Sequence, residues 1–509
     1  MVLRVDDFMI SSVPDVQCGG CVFAMYFSHT PNVSYKIKKT RKTFMWLAYV
    51  ILSHTHLKPM LDDILFSIIL SKISSNTQLI VHGHSMAFRF AYLLIFLCAC
   101  APQTQEQSQT HLRVMAEPWM FQKYPLREAK ERFEKNHPGV QIELQKAPEG
   151  YPNRLLVAMM SHRSDTDLFF GTVENTVAIW AARGLLLPWN TYIQSHPNLQ
   201  RDAFIPTFYD MNTLGGKQYA LPITAELFCF CINKEMAAQA GLLDTNGNIL
   251  PAQTWNDVFD YARRMTQRDP NGHVTTVGLA ANWSWPNNML YATIKAQRGT
   301  LIDPQKGELN LNLPEVRDLL TLTRQGAQEG ITTLASMTDV NQPRSDLKAR
   351  LVAMILTTHS RYLEAWETLG PNSTTIMPIP GKNGGVTGGT RSVVIPKNSR
   401  AIHLAQQFVQ EELVAPYFSR FAWEKYGKLP CMRNVFETLT EPEAHQLAQW
   451  AAASQPDPMF RDELPLTDAI KRHVQRYLTG QVELDPMLAQ LQADLKTLNL
   501  SDIREHFQP

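Results

Sequence analysis

From His111 onward the chain alternates short apolar runs with amphipathic stretches, and this alternation limits the fold more than any other feature of the sequence. His111-Leu112-Arg113-Val114-Met115-Ala116 reads as a strand, Pro125 to His137 as an amphipathic helix, and Val140 to Leu144 as an alternating strand. Arg154 to His162 is helical, Asp167 to Phe170 is a buried third strand, and Thr176 to Arg183 is a helix closed by Gly184. Strands alternating with helices imply an α/β fold, a mostly parallel sheet covered on both faces. Ligands of such sheets bind outside the carboxyl ends of the strands. That singles out two loops, Glu117-Pro118-Trp119 and Gly171-Thr172-Val173-Glu174-Asn175.

The chain upstream reads differently. Residues 1–85 hold five of the fifteen His, a basic knot from Lys36 to Lys42, and no Glu, the first being Glu106. No helix or strand period persists there, and an upstream extension with no fold of its own is expected. From Met86 the pattern is that of an export signal: Arg89, then the apolar run Phe90 to Leu97, too short to span a bilayer. Leu97-Cys98-Ala99-Cys100 resembles a bacterial lipobox, which implies a lipoprotein signal peptide over 86–100 and lipid on Cys100. Residues 101–110, polar and nearly uncharged, then form a flexible tether. At 509 residues the chain is too long for one ordinary domain. A net charge of +1 gives no reason to expect nucleic acid, and no run of some 18–20 apolar residues calls for a transmembrane helix.

Gly83-His84-Ser85-Met86-Ala87 resembles a hydrolase nucleophile elbow, but the last position is Ala and no sheet precedes it. Four of the seven Cys lie at or before Cys100. Of the others, Cys229 and Cys231 are two apart on a predicted strand, share a face, and read as small buried hydrophobes.

The strongest signal is Gly215-Gly216-Lys217-Gln218-Tyr219-Ala220-Leu221-Pro222, running into the apolar Ile223 to Lys234, a helix ending at Gly241, and Pro251-Ala252-Gln253-Thr254-Trp255-Asn256-Asp257. Thr254 is the expected N-cap of the helix that follows, with Asp257 three residues on. Further blocks are Lys348 to Met354, Pro378-Ile379-Pro380-Gly381, Gly388-Gly389-Thr390-Arg391-Ser392-Val393-Val394-Ile395-Pro396, Ala405 to Val409 and Gly427-Lys428-Leu429-Pro430. In this order the blocks resemble extracellular solute-binding proteins of family 1, the maltose-binding type, although Ile232 stands where the family has Tyr.

The resemblance implies a two-lobed periplasmic-binding-protein fold of class II type, with a ligand cleft between lobes joined by a hinge of several crossings. Lobe 1 is expected at 111–222 with 390–428, and lobe 2 at 223–389 with 429–509. It implies a substrate-binding component of an ABC importer rather than an enzyme. Such a protein would be exported, lipid-anchored and monomeric, and would deliver a sugar or oligosaccharide to permease subunits without a cofactor. Alternatives are a polyol, a phosphorylated polyol or another small polar solute as ligand, and a lipid-anchored hydrolase.

Sugars are held by carboxylates and amides on their hydroxyls and by rings on their apolar face. Glu226, just past a hinge crossing, is the first candidate, with Glu174 and Trp119 from the loops at the strand ends. Trp283 and Trp285 follow as alternate residues of one predicted loop. His359 and Arg361 lie in a turn where the family commonly has Trp, and Arg391 lies at a hinge crossing. Trp180, Trp189, Trp255, Trp366, Trp423 and Trp450 read as packing residues. No P-loop, H-E-x-x-H or zinc-type cysteine cluster is present in the sequence.

Overall fold

The computed structural model describes residues 3–5, 8–10 and 110–501, apart from 164, 299, 304, 383–386 and 455–458. The chain divides into two compact units, Met1–Thr104 and Gln105–Pro509. In the first, Leu3–Val5 pairs antiparallel with Phe8–Ile10, where the sequence pattern implies no element. The signal segment, Ser85 and Cys100 lie outside the described residues.

The second unit is built on one mixed sheet. Its first strand, β1 (Thr110–Ala116), buries Leu112, Val114 and Ala116 on alternate positions. It runs parallel to β2 (Val140–Lys146) and to β3 (Leu168–Thr172), which is buried at every position. Helices α1 (Leu126–Asn136), α2 (Tyr151–Met160) and α3 (Glu174–Ala182) connect and follow these strands, near the expected bounds. Next comes β4 (Leu221–Asn233), 13 residues long and about 43 Å in extent at the usual rise per residue. Beyond it lie β5 (Val274–Ala281), β6 (Thr332–Thr333), β7 (Val352–Thr358), β8 (Thr374–Met377), β9 (Thr387–Val394) and β10 (Leu429–Pro430).

The strand order is β6-β5-β7-β4-β9-β3-β1-β2, with β8 and β10 also paired to β4. Residues 221–227 of β4 pair antiparallel with β9, and 224–225 with β10. Residues 228–233 pair antiparallel with β7 and β8. One strand thus serves two half-sheets and passes between them at Leu227–Phe228. This is the two-lobed architecture expected from the sequence.

The interior is less cleanly divided, for one cluster draws on both half-sheets, joining Leu112 and Val114 to Val352, Ile355 and Tyr362. Leu112, Val114, Phe170, Phe418 and Trp423 share a cluster that runs on through Cys431 to Ala451. Phe169, Trp180 and Val394 pack on the other face of the first half-sheet. Phe230, Trp255, Phe259, Trp283 and Leu320 form a third cluster with Ile470 and Leu491. The period of β4 sends Cys229 and Cys231 together into the first cluster, and Phe230 and Ile232 into the last. Trp189 and Trp450 are buried as well, and Trp366 packs partly buried against the first cluster.

Helix α4 (Trp255–Met265) starts as read from the sequence. Thr254 Oγ1 accepts the Asp257 N–H at 3.2 Å, and the Asp257 carboxylate accepts the Thr254 N–H at 2.9 Å, a reciprocal cap worth about 1 kcal/mol. Gly278 lets this helix lie on β5, since a Cβ there would sit 1.8 Å from the Ala262 carbonyl oxygen. Helices α5 (Pro286–Arg298), α6 (Pro314–Glu329) and α7 (Arg361–Leu369) complete the second half.

After α8 (Pro416–Tyr426) the chain enters β10 and stays with the first half. The Ile205 N–H donates to the Cys431 carbonyl at 2.9 Å, Phe204 bridges Met432, and α9 (Pro442–Ala453) packs beside Pro206–Asp210. The last helices, α10 (Glu463–Leu478) and α11 (Leu484–Leu495), pack with each other and on α5 and α6. Among the described residues no helix is long and apolar enough to cross a membrane, and no group of His, Cys, Asp and Glu is arranged to hold a metal ion.

Candidate functional site

Register places the site. Ser392 of β9 lies opposite Thr172 at the carboxyl end of β3, Arg391 opposite Thr224 of β4, and Gly389 opposite Glu226. Thr358, at the carboxyl end of β7, lies opposite Phe228. Strand ends of both half-sheets therefore converge on the middle of β4, and the loops leaving them face one another there. This is the position at which open α/β sheets bind ligands.

On the first side, Glu117 organises two rings. Its carboxylate accepts the Trp119 indole N–H at 3.0 Å and the Tyr151 hydroxyl at 3.3 Å. Tyr151 is mostly buried, and that burial raises its hydroxyl pKa. The guanidinium carbon of Arg391 lies 5.8 Å from the Trp119 ring centre, and Lys428 Nζ is also 5.8 Å from it, both within cation–π range. Glu174, at the first turn of α3, is buried and reaches back to β9, accepting the Thr390 N–H at 3.0 Å and the Thr390 hydroxyl at 3.4 Å. Gly389 has φ +103°, and a Cβ on it would lie 3.0 Å from Glu174 Oε1. Glycine is therefore needed there both for conformation and for space.

At the base, Glu226 is enclosed at 3 % exposure. Its Oε1 accepts from Lys428 Nζ and, at 3.0 Å, from Ser360 Oγ. Lys428 also donates to Ser360 Oγ at 3.1 Å. Burial alone would raise the Glu226 carboxyl, but the charges of Lys428 and Arg361 outweigh it and hold the group well below the usual carboxylate range. Burial pushes Lys428 down to about 8 against the pull of Glu226.

His359 ties β7 to β4. Its N–H donates to the Leu227 carbonyl at 2.8 Å, and its Nδ1 accepts the Leu227 N–H at 3.0 Å. Burial pushes the imidazole down to about 4 from 6.5, although Glu226 Oε2 is 3.7 Å away. Between pH 6.5 and 4 the unfolded chain takes up a proton that the folded chain refuses. Stability is thus fully present above pH 6.5 and falls as the pH falls through that window, by on the order of 3 kcal/mol. Urea denaturation from pH 7 to 4 should show this slope, and His359→Gln should flatten it; an equally steep slope in the variant would refute the assignment.

On the second side, Arg361 opens α7 and donates to Glu364 at 2.7 Å. The same carboxylate has Lys348 at 3.3 Å and Arg344 at 3.7 Å. Trp285, in the loop after β5, is 51 % exposed.

Of the expected site residues, the structure gathers Trp119, Glu174, Glu226, His359 and Arg391 around the middle of β4. Arg361 stands close enough to act on Glu226 electrostatically. Trp285 stands at the carboxyl end of β5, which runs parallel to β7. Trp283 does not belong with them: it is fully buried, and the pleat of β5 carries Leu279, Ala281 and Trp283 to the same core. Sequence reasoning does not single out Glu117, Tyr151, Ser360 and Lys428 as site residues. Glu117, Ser360 and Lys428 sit in segments that it marks and Tyr151 does not, but no local pattern links Lys428 to a partner 202 residues away.

The same architecture recurs in solved structures. The sugar-binding protein MalE of Xanthomonas citri superposes with a TM-score of 0.63 at 17% identity, over 78% of this chain and 98% of that one. The ABC substrate-binding protein Lmo0181 of Listeria monocytogenes, solved with cycloalternan, gives 0.63 at 17% identity over 76% and 99%. The GacH receptor of Streptomyces glaucescens, solved unliganded and with acarbose, gives 0.62 at 17% over 77% and 98%. At these identities the likeness shows the fold. No protein of curated function matches the sequence. Residues 122–411, more than half of the chain, match the family of bacterial extracellular solute-binding proteins. By that match, and with a half-sheet on each side of a shared strand, the chain belongs to the bacterial extracellular solute-binding proteins.

Proposed function

We propose that this chain is the substrate-binding component of an ABC importer, and that it captures a sugar or oligosaccharide between its lobes and hands it to permease subunits without chemical change. The observation that carries this reading is the convergence of strand ends from both half-sheets on the middle of β4, where Trp119, Tyr151, Glu117 and Arg391 are held together. Rings and buried hydrogen-bonding groups are what a saccharide's ring faces and hydroxyls require. Structural relatives solved with acarbose and cycloalternan support the class of ligand. We assign Trp119, Trp285, Arg361 and Arg391 to ligand contact. Glu226, Glu174 and His359 hold the hinge beneath them.

The lobes rotate about β4, β9 and a third crossing. We place that crossing after α9, between residues 454 and 459, rather than at 429–431, because Cys431, Met432 and α9 pack against Phe204, Ile205 and Pro206–Asp210 of the first lobe. The lobes are then 111–226 with 389–454, and 227–388 with 459–501. We further propose that the protein is exported and works as a monomer tethered by lipid on Cys100. Cys100→Ser should move it from the membrane to the soluble fraction, and an unchanged distribution would remove the tether from this reading.

The reading is tested by a thermal-shift screen of the full chain against neutral and acidic mono- and oligosaccharides. A ligand that binds only the folded state at 100 times its dissociation constant adds about 2.7 kcal/mol of stability. A saccharide that raises the melting temperature supports the proposal, and indifference to every saccharide overturns it.

A further inference from the structure

We infer that the captured solute carries an anionic group, a carboxylate or a phosphate, that docks on Arg391. The inference rests on the solute-binding reading and narrows its substrate class.

Among the described residues Arg391 is a cation without an ion-pair partner. Its guanidinium donates to the neighbouring Thr390 carbonyl at 3.1 Å and faces the Trp119 ring. A guanidinium has five N–H donors, so most of its hydrogen-bonding capacity is unused. The nearby carboxylates direct their hydrogen bonds to other groups and none to Arg391 among the described residues. Glu117 holds Trp119 and Tyr151, Glu174 holds Thr390, and Glu226 is taken by Lys428 and Ser360.

Across the strand the imbalance recurs. Arg344, Lys348 and Arg361 share the single carboxylate of Glu364. Arg361 also occupies the first position of α7, where the helix dipole disfavours a cation and favours an anion. A neutral saccharide leaves Arg391 with only neutral acceptors. A carboxylate or phosphate matches its planar fork with two parallel charge-assisted bonds. The indole beneath it would carry the sugar ring.

The test titrates the full chain with D-glucose, D-galactose, maltose, D-glucuronate, D-galacturonate, glucose 6-phosphate and inorganic phosphate, at low salt and at high salt. Glucuronate or galacturonate on one arm, or glucose 6-phosphate on the other, should bind at least about 10-fold more tightly than its neutral counterpart and weaken with salt. Arg391→Gln should weaken that ligand by roughly 10- to 150-fold, and Arg391→Lys by less. Preference for glucose, galactose or maltose, insensitive to salt, would overturn the inference and leave the transport reading standing. Inorganic phosphate binding as well as the sugar phosphate would overturn it as an adventitious ion only. Anion binding undiminished in Arg391→Gln would remove Arg391 from it. Silence to the whole panel would overturn both readings. Salt dependence on the unaltered chain decides the charge question even if Arg391→Gln fails to fold.

Discussion

Glu226→Ala is expected to destabilise the folded chain by about 3–5 kcal/mol, the cost of leaving a buried charge without its partner. Lys428 is 5 % exposed and has no other carboxylate within reach among the described residues. With Glu226 gone it must deprotonate or draw water into the hinge, and either costs free energy. Ser360 loses its acceptor in the same change. Lys428→Ala should cost a similar amount, since it strands the Glu226 carboxylate. The double replacement Glu226→Gln with Lys428→Met should recover much of the loss, because no buried charge remains. Urea denaturation of the three variants measures this. A Glu226→Ala protein as stable as the parent, yet deaf to ligand, would show instead that the carboxylate serves the solute rather than the hinge.

The second large effect separates two tryptophans that the sequence presents as a pair. Trp283→Ala should cost about 3–5 kcal/mol, as expected when a fully buried indole is truncated. Trp285→Ala should change stability by no more than about 0.5 kcal/mol, because half of that side chain is already in water. Its loss should instead weaken saccharide binding, by about 1 kcal/mol for one ring contact. Denaturation and titration on the same two variants check both halves. Equal destabilisation by the two changes would contradict the placement of Trp285, and unchanged binding in Trp285→Ala would remove that ring from the site.

The features legible in the sequence are the local and the periodic ones. The reciprocal cap of Thr254 and Asp257 depends on residues three apart, so the residue types and their spacing suffice to announce it. The same holds for β1, where polar and apolar positions alternate, and for Cys229 and Cys231, whose spacing puts them on one face. The loops holding Trp119 and Glu174 can be placed because parallel sheets expose the ends of their strands. Trp283 is misplaced where a period is not followed far enough, since the two-residue step from Leu279 through Ala281 reaches it beyond the end of β5. The partnership of Glu226 with Lys428 is out of reach for a different reason. It exists only because β10 pairs with β4, and nothing near either residue specifies that pairing. The case for Glu226 as a ligand contact rests on its position alone. The position holds, but its charge is already spent on the lysine.

The length of β4 bears on how the protein folds as well as on how it moves. Each half-sheet takes its interior strand from the same continuous segment, residues 221–227 on one side and 228–233 on the other. A cut between Leu227 and Phe228 would leave each portion of β4 with its own ladder partners, β9 and β10 on one side and β7 and β8 on the other, and would sever instead the strand itself and the two hydrogen bonds between Leu227 and His359 that span the junction. Coupling between the lobes therefore runs along the backbone of one strand and through that residue pair, and shuffling this architecture between relatives requires junctions that keep Leu227 and His359 with one parent.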